Sequence, residues 1–121
     1  WEGVTYYLPP QTVDGTLKVV QDNAPAGSTI CFDYMLDAGE LAGRYGAEQA
    51  RNAMLSMYTA EPLQFDLNSG RVAAFLAERG FELVEHLMAD DLHRRYLTLP
   101  DGSSGGDMLD LFALVKARVA G

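Results

Sequence analysis

The sequence predicts an α/β fold, and three observations carry that prediction. Segments with helical apolar spacing alternate with short runs rich in β-branched and aromatic residues, and the junctions between them carry proline, glycine or Asn-Ser. The first such run, Thr29-Ile30-Cys31-Phe32-Asp33-Tyr34-Met35, is apolar on both sides as far as Asp33. That pattern reads as a strand covered by helices on each face, because a half-wet antiparallel strand alternates more strictly. The order predicted along the chain is helix, buried strand, helical insertion, helix, strand, short helix, strand.

Trp1 to Leu8 reads as a loop. Pro9 and Pro10 have a fixed φ and no amide N–H, which suits the unpaired first turn of a helix. In an α/β protein the loop ahead of such a helix leaves the carboxyl end of a strand, where ligands usually bind. No strand stands before Trp1 in this sequence, so residues 1–121 read as a single partial domain, part of a longer one. Val13, Leu17 and Val20 then share one helical face, and Ala24-Pro25-Ala26-Gly27-Ser28 stops the helix near Asp22-Asn23. Cys31, inside the apolar strand, reads as a buried thiol. As the single cysteine it excludes a disulfide framework and fits a reducing cytoplasm. Asp33 and Tyr34 fall at the carboxyl end of that strand, where an open α/β sheet presents its ligand crevice.

Leu36 to Ala60 is helix-compatible, with Leu41, Tyr45, Met54, Met57 and Tyr58 available for packing. Gly39, Gly43 and Gly46 each weaken a helix by about 1 kcal/mol relative to alanine, so 36–67 reads as a broken helical insertion or a lid. Met35, Met54 and Met57 could floor a substrate pocket or fill gaps in the core. Glu61 to Leu67 is a short extended connection. Asn68-Ser69 offers N-cap oxygens to a helix whose Val72, Phe75 and Leu76 share a face, and Gly80 ends it after Arg79. Phe81 to Leu87 mostly alternates as a strand, with Glu85 interrupting its apolar side. Asp90-Asp91 caps a short helix through Tyr96 and Leu97. Pro100 to Gly106 is a turn and a flexible connection, without the Lys-Ser/Thr that closes a phosphate loop. Leu111 to Val119 alternates between apolar residues and a set that turns basic at Lys116 and Arg118, the pattern of a strand near a sheet edge. Its closeness in sequence to the preceding strand favours antiparallel pairing.

Composition narrows the function. Nine Lys and Arg against 17 Asp and Glu leave a formal charge of −8, and the basic residues are scattered, so no nucleic acid is expected as a partner. No apolar run reaches the roughly 18 residues of a membrane span, so none is expected at a membrane. His86 and His93, with Asp90 and Asp91, match no established ligand spacing, and no metal is expected.

Taken in order, Glu2-Gly3-Val4-Thr5-Tyr6-Tyr7-Leu8-Pro9, Phe32-Asp33-Tyr34, Glu61-Pro62-Leu63-Gln64-Phe65, Ala74 to Phe81, Arg94-Arg95-Tyr96-Leu97 and Phe112 to Arg118 carry a resemblance along essentially the whole chain. The chain resembles the C-terminal half of the leucine carboxyl methyltransferase family, whose bacterial members are S-adenosylmethionine-dependent O-methyltransferases. The resemblance implies the C-terminal part of a Rossmann-like class I methyltransferase sheet, a mixed sheet with the last strand antiparallel between its neighbours. Trp1 to Leu8 would be the loop after that sheet's fourth strand, and Thr29–Met35, Phe81–Leu87 and Leu111–Val119 its fifth, sixth and seventh. The glycine-rich loop that binds most of the S-adenosylmethionine belongs to the other half.

Within this chain the resemblance implies Glu2 and Gly3 as cofactor-binding, with the Glu2 carboxylate pairing with the α-ammonium group. It implies Tyr7 as the phenol of the reaction site, orienting a carboxylate or hydroxyl of a small molecule or peptide. Tyr6, Asp33 and Tyr34 are the substrate-binding candidates. From the residues alone, Glu2 reads more readily as a solvated loop charge, and Tyr6 and Tyr7 as core-edge residues. His86 and His93 would serve as bases only for a hydroxyl acceptor. The expected macromolecular partner is the missing N-terminal half or a second copy. The alternative function is a non-catalytic α/β interaction module that self-associates or pairs with a separate half through an exposed edge.

Overall fold

Helix α1 (Pro10–Asn23) begins where the prolines place it, with Pro10 at the first helical position and Pro9 outside in an extended conformation. The computed structural model describes residues 1–57 and 60–121, so Tyr58, a candidate packing residue of the insertion, lies outside the described residues. After α1 the chain turns at Gly27, whose φ of 90° suits glycine, into strand β1 (Thr29–Met35). Helices α2 (Ala47–Met57) and α3 (Val72–Ala77), strand β2 (Phe81–Leu87), helix α4 (Ala89–Tyr96) and strand β3 (Phe112–Val119) follow. Short 3-10 turns stand at Thr5–Tyr7, Ala38–Glu40 and Ser69–Arg71.

The strands form one sheet in the order β1-β3-β2. β3 is antiparallel to both neighbours, so the outer two run in the same direction without touching. The fold is α/β with its last strand antiparallel between the other two. Among the described residues every pairing of these three strands is antiparallel, and the mixed character lies in the common direction of β1 and β2 and in an isolated parallel bridge between Leu36 and Leu67. The period of Leu111–Val119 pointed to a place near or at an edge, but the strand lies between two neighbours, as the resemblance implies. Ala113, Val115, Ala117 and Val119 are buried while Leu114, Lys116 and Arg118 are exposed, and an uncovered face gives the same alternation as an uncovered edge.

The same period corrects β1. Phe32 and Tyr34 are buried, but Cys31 is exposed, opposite Lys116 in the register and on the face that no described helix covers. The buried thiol and the strand covered on both faces give way to a strand whose second face is covered only at its carboxyl end. There Met35 is buried, and the Tyr6 ring packs 5.1 Å from Phe112.

Val13 and Leu17 from α1 and Val72 and Leu76 from α3 join Phe32, Tyr34, Phe81 and Val115 in one core. Arg79 lies over the Phe75 ring and donates to Asp14 at 2.7 Å, which ties α3 to α1. In β2, Leu83 pairs with Ala117 and Glu85 with Lys116, so Val84 is a bulge. That extra residue turns Glu85 outward and His86 inward, which is why the apolar pattern breaks at Glu85. Asn68 accepts from the Gly70 N–H at 2.9 Å and caps the Ser69–Arg71 turn that leads into α3, whose own N-terminus has no side-chain cap. Gly80 has φ 79°, and Asp91, in the first turn of α4, accepts from the Met88 N–H at 2.9 Å.

The insertion is broken where its glycines predict. Gly43 and Gly46 take φ of 75° and 64° and separate the Ala38–Glu40 turn from α2. Polar contacts hold the segment before α2 in place. Leu36 bridges to Leu67, the Ser69 hydroxyl donates to Glu40 at 2.6 Å, and Arg44 pairs with Glu40 and with Asp110, each at 3.2 Å. Leu41 is buried and Met54 half-buried, whereas Tyr45 and Met57 are exposed, so the three methionines floor no common pocket. Among the described residues no helix is long and apolar enough to cross a membrane.

Leu17→Ala and Leu76→Ala, at fully buried positions, are each expected to cost about 2–5 kcal/mol in urea denaturation. Val19→Ala, at a position 63% exposed, is expected to change stability by about 0.5 kcal/mol or less.

Candidate functional site

Three hydrogen bonds lay the loop Trp1–Leu8 along β1. The Trp1 nitrogen donates to the Cys31 carbonyl at 3.0 Å, the Gly3 N–H to Asp33 Oδ1 at 2.9 Å, and Thr5 Oγ1 to the Asp33 carbonyl at 2.8 Å. Gly3 turns the loop between these bonds with φ 71°. Thr5 is fully buried, so its hydroxyl needs the partner it has. Beyond it, the Thr5–Tyr7 turn leaves Tyr6 buried and Tyr7 half-buried, with ring centroids 4.7 Å apart. Gln64 closes the far end, donating its N–H to the Tyr6 carbonyl and its Nε2 to the Tyr7 carbonyl, each at 2.8 Å.

The arrangement brings together Glu2, Gly3, Tyr6, Tyr7 and Asp33. Glu2 is exposed and has no ion pair among the described residues. Burial, and then the nearby Asp33, Tyr7 and Glu2, raise the Tyr6 phenol above its usual value. Tyr6 is therefore a neutral hydroxyl at neutral pH. Glu2 and Asp33, with Trp1, Cys31, Leu114 and Lys116, line a groove of about 430 Å³ on the uncovered face of the sheet. Its floor is apolar and its rim carries both signs of charge. A larger hollow of about 560 Å³, walled by Asp14, Lys18, Glu78 and Arg79, lies between α1 and the end of α3, away from this loop. Arg79 is already engaged there by Asp14, and the walls are more polar than apolar. Among the described residues no group of three or more His, Cys, Asp or Glu is placed to hold a metal ion.

Tyr34 parts from the other candidates. Consecutive strand residues point to opposite faces, so with Asp33 turned to the loop Tyr34 turns into the core. It is fully buried, and its hydroxyl lies 2.8 Å from His86 Nε2. Burial, reinforced by Glu40, pushes the Tyr34 phenol well above the ordinary range. It lines no crevice. Burial also lowers His86, against the pull of Asp91 and Glu40. The pairing escapes sequence reasoning because it needs β3 between the two strands. The available signal was positional, since each residue lies near the carboxyl end of a strand that flanks β3. His93 is at the surface, its Nε2 2.8 Å from Ser104 Oγ and 3.0 Å from the Gly106 carbonyl.

No family model matches the chain, and no curated protein matches it. Among solved structures, the chain is similar to one described as a possible exported protein from Bordetella parapertussis, with a TM-score of 0.59 at 14% identity. The superposition covers 99% of this chain and 37% of that one, so this chain spans little more than a third of that protein's length. The likeness is one of fold.

Two outcomes follow from the Tyr34–His86 pair. Tyr34→Phe is expected to cost about 1–3 kcal/mol in urea denaturation, because it leaves a half-buried imidazole without its partner. The folded state also binds the His86 proton less readily than the unfolded chain, whose value is the ordinary 6.5. Stability from this group is whole above that value and is lost as pH falls below it. His86→Gln should therefore flatten the decline in stability between about pH 7.5 and about pH 5.5. An unchanged slope would assign the decline to carboxylates instead.

Proposed function

We propose that this chain is the C-terminal part of an S-adenosylmethionine-dependent methyltransferase of the leucine carboxyl methyltransferase type. The acceptor is a carboxylate or hydroxyl of a small molecule or peptide, and activity requires the half that carries the glycine-rich loop. One observation supports this reading above the others: the loop held on β1 gathers an exposed carboxylate and two phenols beside the carboxyl end of that strand. The cytoplasm is the proposed compartment, where an exposed thiol such as Cys31 stays reduced.

The residues fit the amino-acid end of the cofactor. The Glu2 carboxylate is exposed and has no ion pair among the described residues, which leaves it able to receive an ammonium group in a charge-assisted hydrogen bond. When bound, S-adenosylmethionine supplies a methyl group activated by its sulfonium. The residues of this chain contribute alignment. Gly3 allows the loop to turn beside Glu2, and the half-exposed Tyr7 phenol is the group that orients the acceptor oxygen. Tyr6 keeps its proton and can donate it in a hydrogen bond to an acceptor carboxylate. A carboxylate acceptor arrives already deprotonated, so no general base is needed from this chain.

A second reading, a non-catalytic interaction module, draws support from the uncovered sheet face, on which Leu114 is 40% exposed. Calorimetric titration of S-adenosylhomocysteine into the full product of the gene separates the two. Binding is expected, weakened about tenfold or more by Glu2→Gln, as befits a hydrogen bond to a charged group worth about 1.5–3 kcal/mol. Absence of binding by the folded protein would overturn the methyltransferase reading, and a concentration-dependent dimer in sedimentation would then favour the module.

A further inference from the structure

Asp33 holds the loop with both its side chain and its main chain. Oδ1 accepts the Gly3 N–H at 2.9 Å, and the carbonyl accepts the Thr5 hydroxyl at 2.8 Å. These bonds straddle the exposed Val4, with Glu2 on one side of them and the Tyr6–Tyr7 pair on the other. We infer that Asp33 is a positioning residue, which sets the placement of the Glu2 carboxylate relative to the Tyr7 phenol, and that it does not itself contact a substrate. The inference rests on the proposed methyltransferase reading only for what the loop carries; the anchoring stands on the hydrogen bonds.

The surroundings agree. Gly3 has φ 71°, and a Cβ built there would stand 3.8 Å from the Tyr6 hydroxyl, so the loop folds back on itself at the residue Asp33 grips. Thr5 is fully buried, and solvent cannot readily replace its bond to Asp33. The Trp1 contact to Cys31 is main chain to main chain and independent of side-chain identity. The Gln64 bonds fasten the far end of the loop to the connection before α3. Asp33 and Thr5 thus supply the side-chain ties at the end that carries Glu2, and both meet at Asp33.

Trp1 is the chain's single tryptophan, and its ring lies 5.9 Å from Phe32, so its emission and acrylamide quenching report loop docking without any ligand. Asp33→Asn keeps an oxygen for the Gly3 N–H and removes the charge, Asp33→Ala removes both, and Thr5→Val removes the buried hydroxyl at similar volume. Asp33→Asn is expected to leave Trp1 quenching, and S-adenosylhomocysteine affinity in the full gene product, within about twofold of wild type. Asp33→Ala and Thr5→Val are expected to raise quenching about twofold and weaken affinity about fivefold or more. The Thr5→Val arm keeps the test decisive should Asp33→Ala fail to fold by circular dichroism. Unchanged Trp1 quenching in the folded variants overturns the inference. So does an Asp33→Asn variant that loses affinity with Trp1 unmoved, because the charge would then touch the ligand. If wild type binds no S-adenosylhomocysteine, the methyltransferase reading fails while the Trp1 comparison still decides the anchoring.

Discussion

The insertion of β3 between β1 and β2 is the interaction on which the rest of the structure depends. β1 and β2 make no pairing with each other, and both take their register from the last strand of the chain. A central strand must satisfy its backbone donors and acceptors on both edges, which here means pairing Thr29 with Arg118 and Phe81 with Val119 across long sequence separations. Fully buried Ala113 and Ala117 make room on the inner face, and Tyr34 and His86, from opposite neighbours, meet there. Until β3 is in place, the core offered by α1 and α3 has only part of a sheet to close on.

The period of two in β1 divides its carboxyl end into two environments. Tyr34 is committed inward, where burial holds its proton and a histidine answers its hydroxyl. Asp33 is committed to the loop, where its oxygens replace the missing partners of a turn. The candidate site therefore belongs to one side of one strand. The phenol that packs the core and the carboxylate that carries the loop are adjacent in sequence and have no surface in common.

Local signals were the legible ones. Thr29–Met35 and Phe81–Leu87 were read with the bounds that the structure has, and the helix from the prolines to Asn23 likewise, because β-branched runs, proline at a first helical turn and glycine at a helix end act through neighbouring residues alone. Gly80 ends its helix as expected, and Asn68 caps the 3-10 turn that leads into α3. The errors were all of placement. Cys31 was expected inside, and the period of Leu111–Val119 was read as that of a strand near or at an edge; both depend on which faces and edges find partners. The bulge at Val84 shows why: one extra residue exchanges the faces of everything after it, and no propensity announces it.

The sequence by itself determined the bounds of the first helix and of the first two strands, that the last strand turns back antiparallel, and that Glu2 and the two tyrosines precede the first helix. These follow from dihedral preferences, period and order along a chain. Only the tertiary structure decided that the second face of β1 stays open over Cys31, that the loop is held by Asp33 and not by solvent, and that Tyr34 belongs to the core with His86. Those outcomes rest on pairings between residues about thirty to ninety positions apart. A hydrogen bond across such a gap is selected by the packing of both segments at once, and neither segment carries the information alone.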